Sequence, residues 1–360
     1  NLKLNLGYAP RLATPVNPEA HRLVLEARYF WALRTEEGFA KGEKACLRAL
    51  EIDPQFAPTH AALADVWALR GWWRRTGARL PSDDDLARAK VEAQLAQRLD
   101  PTLVEPWATM GAILFNTHQF SAAEEQFQQA FILNPNYAAA RLWHAHLLWT
   151  RGNLEDALIE IERADRLDPL SFSILDAYAR LLGFVGRHHE ALLMNDRAGA
   201  VRPEVPYAMA DRALFLLDLE RKREAVEVAR SVGRNLTLES RRFADGNAVF
   251  VLRREGLDAE AAEYGAAILK VLPADSYARG FVLGALGRFD EALPYLERTP
   301  EPVFYSLYYS PLWNSVRDDP RWSQLMVKLN CAEEYKLARA ALERMAKTRL
   351  ANPISSRRVP

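Results

Sequence analysis

The stretch WATMGAILFNTHQFSAAEEQFQQAFILNP (residues 107–135) decides the fold of this chain. Its first part spaces apolar residues three or four positions apart, which is the period of an α-helix with one buried face. These residues are Trp107, Met110, Ile113 and Leu114. A second periodic run follows a short polar turn and ends at an Asn-Pro step, and such a step ends a helix because the residue before proline is pushed out of the α region. The stretch therefore predicts a helical hairpin.

The same hairpin recurs along the chain with a period of 34 residues. A proline stands at the end of each unit, and small residues stand five and twelve positions before it. The prolines are Pro101, Pro135, Pro169 and Pro203, and the small residues are Ala89, Ala96, Ala123, Ala130, Ala157, Ala164, Ala191 and Ala198. Small side chains at fixed offsets are needed where stacked helices cross closely, so the period predicts a helical repeat.

The repeat extends beyond its regular centre in both directions. Pro54 lies 47 residues before Pro101, so one unit carries an insertion of 13 residues near residues 71–83. Downstream, the proline is lost but second helices are still predicted at residues 223–231, 258–273 and 287–298. The chain is thus expected to hold about eight hairpins.

The pattern W-x2-M-G-x2-L…F-S-A-A-x3-F-x2-A-x4-P at residues 107–135 resembles a tetratricopeptide repeat, and the resemblance covers residues 18–298. It implies an all-α fold, a right-handed superhelical solenoid of about eight helical hairpins with a C-terminal capping segment. It also implies that the first helix of each hairpin lines a concave surface. A solenoid of this kind offers an extended binding surface instead of a buried reaction chamber.

A narrower resemblance concerns the two ends of the repeat region. Residues 17–71 look like the start of the tetratricopeptide region of bacterial multidomain signalling and transcriptional regulators, and residues 310–330 resemble the segment that closes it. This resemblance implies the sensory or docking part of a larger signalling protein. The start at Asn1, without Met, fits a fragment or a processed product.

The expected domain organisation follows from these patterns. Residues 1–17 form a lead-in, residues 18–300 the array, residues 301–348 a C-terminal cap and helix, and residues 349–360 a flexible tail. The cap is dense in aromatic residues and is expected to cover the last hairpin, since an open stack end exposes apolar surface. A sharper alternative is a homodimer through the final helix.

The amino-acid composition limits the classes of function that are expected for this protein. The formal net charge is zero with 26% charged residues, so the sequence carries no electrostatic footprint for nucleic acid or an anionic membrane. Apolar runs fall short of the ~20 residues that a membrane-spanning helix needs, so no membrane insertion is expected. Two cysteines are too few for a disulfide framework. The predicted location is cytoplasmic, or periplasmic if the full-length chain has an upstream membrane span.

The sequence lacks the usual motifs for catalysis. It contains no glycine-rich phosphate loop, nucleophile elbow or zinc pattern, so we expect no enzyme activity, no cofactor and no metal site. The acidic run at residues 83–85 is interpreted as a helix start. The aromatic and basic run Trp72–Arg79 is either a loop that contacts a partner, a phosphate or a nucleic acid, or a plug for the gap that the insertion makes.

Candidate binding residues are those that the tetratricopeptide resemblance places on the concave face. They lie one turn apart on the first helices, and several are the large aromatics that are enriched at interface hot spots. The predicted partner-binding residues are Arg28, Trp31, Asp65, Phe115, Asn116, Trp143, His146, Trp149, Asp176, Arg180, Phe184, Tyr207, Asp211, Phe250 and Arg253. The alternative is that the tryptophans pack between repeats.

The sequence thus predicts a non-enzymatic protein-interaction module that binds an extended peptide or a helix of a protein partner in the groove. Two alternatives remain open. One is a self-associating scaffold without a peptide ligand. The other is a small-molecule sensor that uses the surface of Trp143, Trp149 and Arg180.

Overall fold

The computed structural model describes residues 17–76, 83–202, 206–234, 244–299 and 304–351. Within these residues it contains nineteen α-helices, one short 3-10 helix and no strand. The expected all-α architecture of repeated helical hairpins is confirmed. No helix in this part of the chain combines the length and the apolar character that crossing a membrane requires.

The described residues form two compact units. One contains residues 17–71 and 83–110, and the other contains residues 72–76 and the residues from Gly111 onward. The first unit holds α1 (Pro18–Ala32), α2 (Glu36–Ile52), most of α3 (Ala57–Thr76), α4 (Asp83–Leu99) and the first half of α5 (Glu105–Asn116).

The second unit holds the rest of α5 and the remaining helices. Its array helices are α6 (Phe120–Leu133), α7 (Ala138–Thr150), α8 (Leu154–Leu167), α9 (Phe172–Phe184), α10 (His188–Val201), α11 (Pro206–Asp218), α12 (Lys222–Arg234), α13 (Ala244–Arg254), α14 (Asp258–Val271), α15 (Ala278–Ala285) and α16 (Phe289–Leu296). Each odd-numbered helix from α7 to α15 packs against the next helix along the chain, as hairpins require.

The sequence signals for helix ends, close helix crossings and turns have the predicted effects on the structure. Asn134 and Asp168, which precede the repeat prolines, lie outside the α region with φ of −149° and −141°, so α6 and α8 end there. The alanines at the repeat offsets are all fully buried. Gly152 and Gly186 have φ of +77° and +73° in the turns between helices, a conformation that glycine adopts without steric cost.

The C-terminal segment, residues 304–351, departs from the repeat. It consists of α17 (Phe304–Tyr309), a 3-10 helix (Pro311–Trp313), α18 (Pro320–Lys328) and α19 (Ala332–Ala351), so its last helix continues past the predicted end at residue 348. Trp313 packs on Phe281 of the last hairpin, with ring centroids 5.3 Å apart.

The same segment also folds back onto the middle of the array. Helices α17 and α19 both contact α7, and α19 contacts α8 as well. Phe304 lies 5.4 Å from the ring of His118, in the turn between α5 and α6. The expectation that this segment covers the last hairpin therefore describes only part of what it does, because it also covers α7.

Several predicted features lie outside the described residues. They are the lead-in before Asn17, residues 77–82 of the insertion and the tail after Ala351.

Candidate functional site

The inward face of α9 carries Asp176, Arg180 and Phe184 at four-residue spacing, so the three side chains lie one above the other on the helix. Together with Asp211 of α11 they line a cavity of about 110 Å³ in the second unit, here called the Arg180 cavity. Four of the predicted binding residues are thus brought together.

Polar side chains joined by hydrogen bonds form the floor of the Arg180 cavity. The guanidinium of Arg180 donates through Nε to Asp211 (3.1 Å) and through Nη2 to Asp176 (3.0 Å). Asn247 of α13 donates from Nδ2 to the second oxygen of Asp211 at 2.9 Å. Burial opposes the charge of Arg180, but the neighbouring carboxylates outweigh it and hold the pKa of this group above its ordinary value. Arg180 therefore stays charged and fixed.

Aromatic rings form the walls of the cavity. Tyr309 stacks on Phe184 with centroids 5.0 Å apart, and Tyr305 lies 5.9 Å from Phe184. Phe215, Phe281 and Trp72 line the cavity from other elements. Because Tyr305 and Tyr309 belong to α17, the C-terminal segment encloses a surface that the repeat alone would leave open.

Asp218, the last residue of α11, lies at the edge of the cavity. Its carboxylate is 3.6 Å from Nε2 of His188, and its side chain is 44% exposed. Partial burial raises the pKa of Asp218. Among the described residues that line the cavity, three carry carboxylates and one carries a guanidinium, so the lining has an excess of negative charge.

Trp149 does not face an open groove. Its side chain is fully buried, with the ring 5.6 Å from Tyr305 and 4.2 Å from His146. Burial and the nearby charge of Arg180 lower the pKa of His146 to about 3, so this imidazole is neutral at ordinary pH. The aromatic contacts extend to Trp143, whose ring centroid lies 5.9 Å from that of Trp72.

Phe115 and Asn116 at the end of α5 are also buried. Phe115 packs near Phe120, and Asn116 donates from Nδ2 to the carbonyl of Ala112 at 2.7 Å. Neither side chain is accessible to a partner in this structure.

The first unit contains three of the predicted binding residues, Arg28, Trp31 and Asp65. Thr109 donates a hydrogen bond to Asp65, and burial raises the pKa of this carboxyl to about 7. Arg28 pairs with Glu105 at 2.7 Å, and Trp31 is half-buried on the same helix as Arg28.

The other predicted residues lie apart from these groups. Phe250 is half-buried on α13, Arg253 is exposed on the same helix, and the side chain of Tyr207 lies outside the described residues.

Sequence reasoning misses part of the cavity lining. It assigns Tyr305 and Tyr309 to the cap, and it does not single out Phe215, Asp218 or Phe281. The density of aromatic residues in FYSLYY (residues 304–309) is the available signal, but its contact with α9 depends on a chain reversal that has no local pattern.

Comparisons with known proteins agree with the fold of repeated helical hairpins. Residues 114–181 match the family model described as Tetratricopeptide repeat. A monomeric IFIT1 mutant with m7Gppp-AAAA is similar in structure, with a TM-score of 0.60 and 15% identity over 90% of this chain and 71% of that chain. A human IFIT1 dimer with PPP-AAAA gives 0.59 and 16%, over 92% and 73% of the respective chains.

A tetratricopeptide-repeat protein of Thermus thermophilus matches with a TM-score of 0.45 and 18% identity, over 55% of this chain and 99% of that chain. No curated protein sequence gives a significant match. The family match and the hairpin architecture together support a tetratricopeptide-repeat protein. Within the described residues, no cluster of three or more His, Cys, Asp or Glu side chains is arranged to hold a metal ion.

Proposed function

We propose that this chain is a non-enzymatic interaction module whose ligand reaches the Arg180 cavity. The observation that carries the proposal is the convergence of four predicted inward residues, from α9 and α11, on one cavity with a fixed polar floor and aromatic walls. Concave sites with a few convergent polar groups are the usual form of a binding site. Tetratricopeptide arrays generally serve as protein-interaction scaffolds, which favours a protein partner.

The position of α17 limits the form of the partner. Helix α17 lies over Trp149 and Phe184, where an extended peptide would otherwise run along α7 and α9. The partner is therefore proposed to insert a chain end or a single side chain into the cavity. Arg28, Trp31 and Asp65 remain a proposed second contact surface in the first unit.

The wider context is a proposal that rests on sequence resemblance. Residues 17–71 and 310–330 resemble the tetratricopeptide region of bacterial signalling and transcriptional regulators, so we propose that the module is the sensory or docking part of such a protein. A cytoplasmic location goes with this proposal, and a periplasmic one with an upstream membrane span.

The IFIT1 structures contain RNA, but they share only the fold with this chain. Phosphate groups are held by cationic side chains, whereas the Arg180 cavity offers three carboxylates and a guanidinium that is already paired. The chain as a whole has no net charge. These features favour a protein partner over a nucleic acid.

A small-molecule sensor is the second candidate. The observation that favours it is the enclosure of the cavity by Tyr305 and Tyr309, because an enclosed site suits a compact ligand better than a long peptide.

Capture of partners by the full chain and by rim variants tests the proposal. Asp218→Arg reverses a charge at the cavity edge, and Glu220→Arg reverses one on an 80% exposed side chain outside it. Proteins that bind the wild type and Glu220→Arg but not Asp218→Arg would support the module. Identical capture by all three would contradict it. A small molecule that co-purifies in native mass spectrometry and is lost in Asp218→Arg would favour the sensor.

A further inference from the structure

We propose that the Arg180 cavity binds an organic cation, an ammonium or a guanidinium group, through Asp218 and the aromatic walls. This inference rests on the proposed binding function of the same cavity and names the chemistry of its ligand.

The side chains that line the cavity carry net negative charge. Asp176 and Asp211 share one guanidinium, that of Arg180, and Asp211 also accepts a hydrogen bond from Asn247. These three charged groups together carry one net negative charge. Asp218 adds a further carboxylate, which lies 3.6 Å from the imidazole of His188. In a partly desolvated site, net negative charge favours an incoming cation.

The aromatic walls of the cavity suit a cation. Cations are attracted to the faces of aromatic rings when they lie within about 6 Å of the ring centroid. The cavity already contains one such pair, because the guanidinium carbon of Arg180 lies 5.9 Å from the centroid of Tyr305. Phe184, Tyr309 and Trp72 offer further rings around the same space.

The size of the cavity also suits a small organic cation. The cavity measures about 110 Å³. An apolar protein cavity of ~150 Å³ binds benzene, so a space of this size suits a group of a few heavy atoms. An alkylammonium or a guanidinium is of this size, whereas a nucleotide is far larger.

An anionic ligand is disfavoured by the same geometry. A carboxylate or phosphate would have to draw Arg180 away from both Asp176 and Asp211, and these two carboxylates would then lose their shared guanidinium. Breaking such a buried pair is costly, because it leaves an uncompensated charge behind.

The test is calorimetric titration of the full chain with defined probes at constant ionic strength. Butylammonium and methylguanidinium are the cationic probes, and butyrate is the anionic probe of matched size. We expect heat of binding that saturates for the cations and none for butyrate. Equal signals from cations and butyrate, or no signal from either cation, would overturn the inference.

Variants locate the site. Asp218→Asn keeps the shape of a partly exposed side chain and removes its charge, and we expect it to weaken cation binding about tenfold, the usual effect of losing one charged hydrogen-bond partner. Glu162→Gln removes a charge from a 54% exposed side chain on α8, outside the cavity, and should leave the affinity unchanged. Unchanged binding by Asp218→Asn would contradict the assignment.

A third series of titrations distinguishes a cationic side chain of a protein partner from a free small-molecule cation as the ligand. Acetylated and amidated tripeptides with a central arginine or a central glutamine are compared with free methylguanidinium. Tighter binding of the arginine peptide indicates a partner side chain, and equal binding indicates a small ligand. Cation binding without any captured protein partner would support the cation-binding site and contradict the proposed interaction with a protein partner. Partner capture that depends on Asp218, without cation binding, would support the interaction with a protein partner and contradict the cation-binding site.

Discussion

The hydroxyl of Tyr309 donates a hydrogen bond to the backbone carbonyl of Trp149 at 2.5 Å, across 160 residues of sequence. Both residues are buried, so the bond joins α17 to the end of α7 inside the second unit. It marks the point where the C-terminal segment returns to the middle of the array and encloses the Arg180 cavity.

Removing the Tyr309 hydroxyl should destabilise the second unit. We expect Tyr309→Phe to lower the free energy of unfolding by about 1 kcal/mol, because the Trp149 carbonyl loses a buried donor. Urea denaturation followed by circular dichroism measures the change. Tyr29→Phe alters an exposed ring in the first unit and serves as the control. Equal midpoints for the two variants would contradict the role of this bond.

Gly152 offers a test of the contact between α19 and the array. A Cβ atom there would overlap the backbone nitrogen of Ala338, and the φ of Gly152 is +77°. Gly256 has a φ of +75° with open space around it. Gly256→Ala should therefore cost only the ~1–2 kcal/mol of a left-handed non-glycine residue.

Gly152→Ala should cost more than this, because the backbone of α19 must also move away. Hydrogen exchange should then speed up in α19 for Gly152→Ala and not for Gly256→Ala. Unchanged protection of α19 in Gly152→Ala would show that the helix does not lie against this turn.

His144 predicts a dependence of stability on pH. Burial disfavours its charged form, but a hydrogen bond to Glu124 and the carboxylate of Glu160, 3.9 Å from Nδ1, outweigh burial and raise the pKa of His144 from 6.5 to about 9. A pKa that is higher in the folded state gives stability that is fully present below pH 6.5 and is lost as the pH rises through 9. The free energy of unfolding should thus fall between these values, by at most about 1.4 kcal/mol per pH unit.

His144→Gln should flatten this part of the pH profile. Urea titrations at closely spaced pH values that bracket both pKa values would measure it. Parallel profiles for the variant and the wild type would refute the assignment.

The acidic run at the start of α4 contains one aspartate that is buried and one that is exposed, and the two have different roles. Asp85 is buried and accepts two hydrogen bonds from Arg70 of α3, at 3.0 and 2.6 Å, while Asp84 is exposed. Asp85→Asn should lower the stability of the first unit by about 2 kcal/mol, because the buried Arg70 charge loses one of its two carboxylate partners and keeps Glu43. Asp84→Asn, with the same change one residue away, should shift stability by less than about 0.5 kcal/mol. Similar losses in both would favour a simple helix-start role for the whole run.

The fold could be predicted from sequence because its determinants are local. The alanine pairs, the Asn-Pro and Asp-Pro steps and the turn glycine Gly152 act within one hairpin, and the alanines and prolines recur at a period of 34 residues. Stacking of adjacent hairpins then follows from the apolar faces, without information from distant parts of the chain.

The site was only partly predictable because much of its lining comes from a distant segment. Asp176, Arg180, Phe184 and Asp211 follow from helix periodicity. Tyr305 reaches them through a chain reversal, which periodicity does not encode. Asp85 shows the same limit, because the sequence marks it as a helix-start carboxylate while its partner Arg70 lies on another helix.

The return of the C-terminal segment to the array is the central claim, and a spin-label distance tests it most directly. Labels are placed at Ile159 on α8 and Leu337 on α19, two exposed apolar positions on helices in contact. Double electron–electron resonance on the full chain should give one narrow, short distance distribution. A broad distribution, or a long distance in keeping with a segment that only covers the last hairpin, would contradict the account.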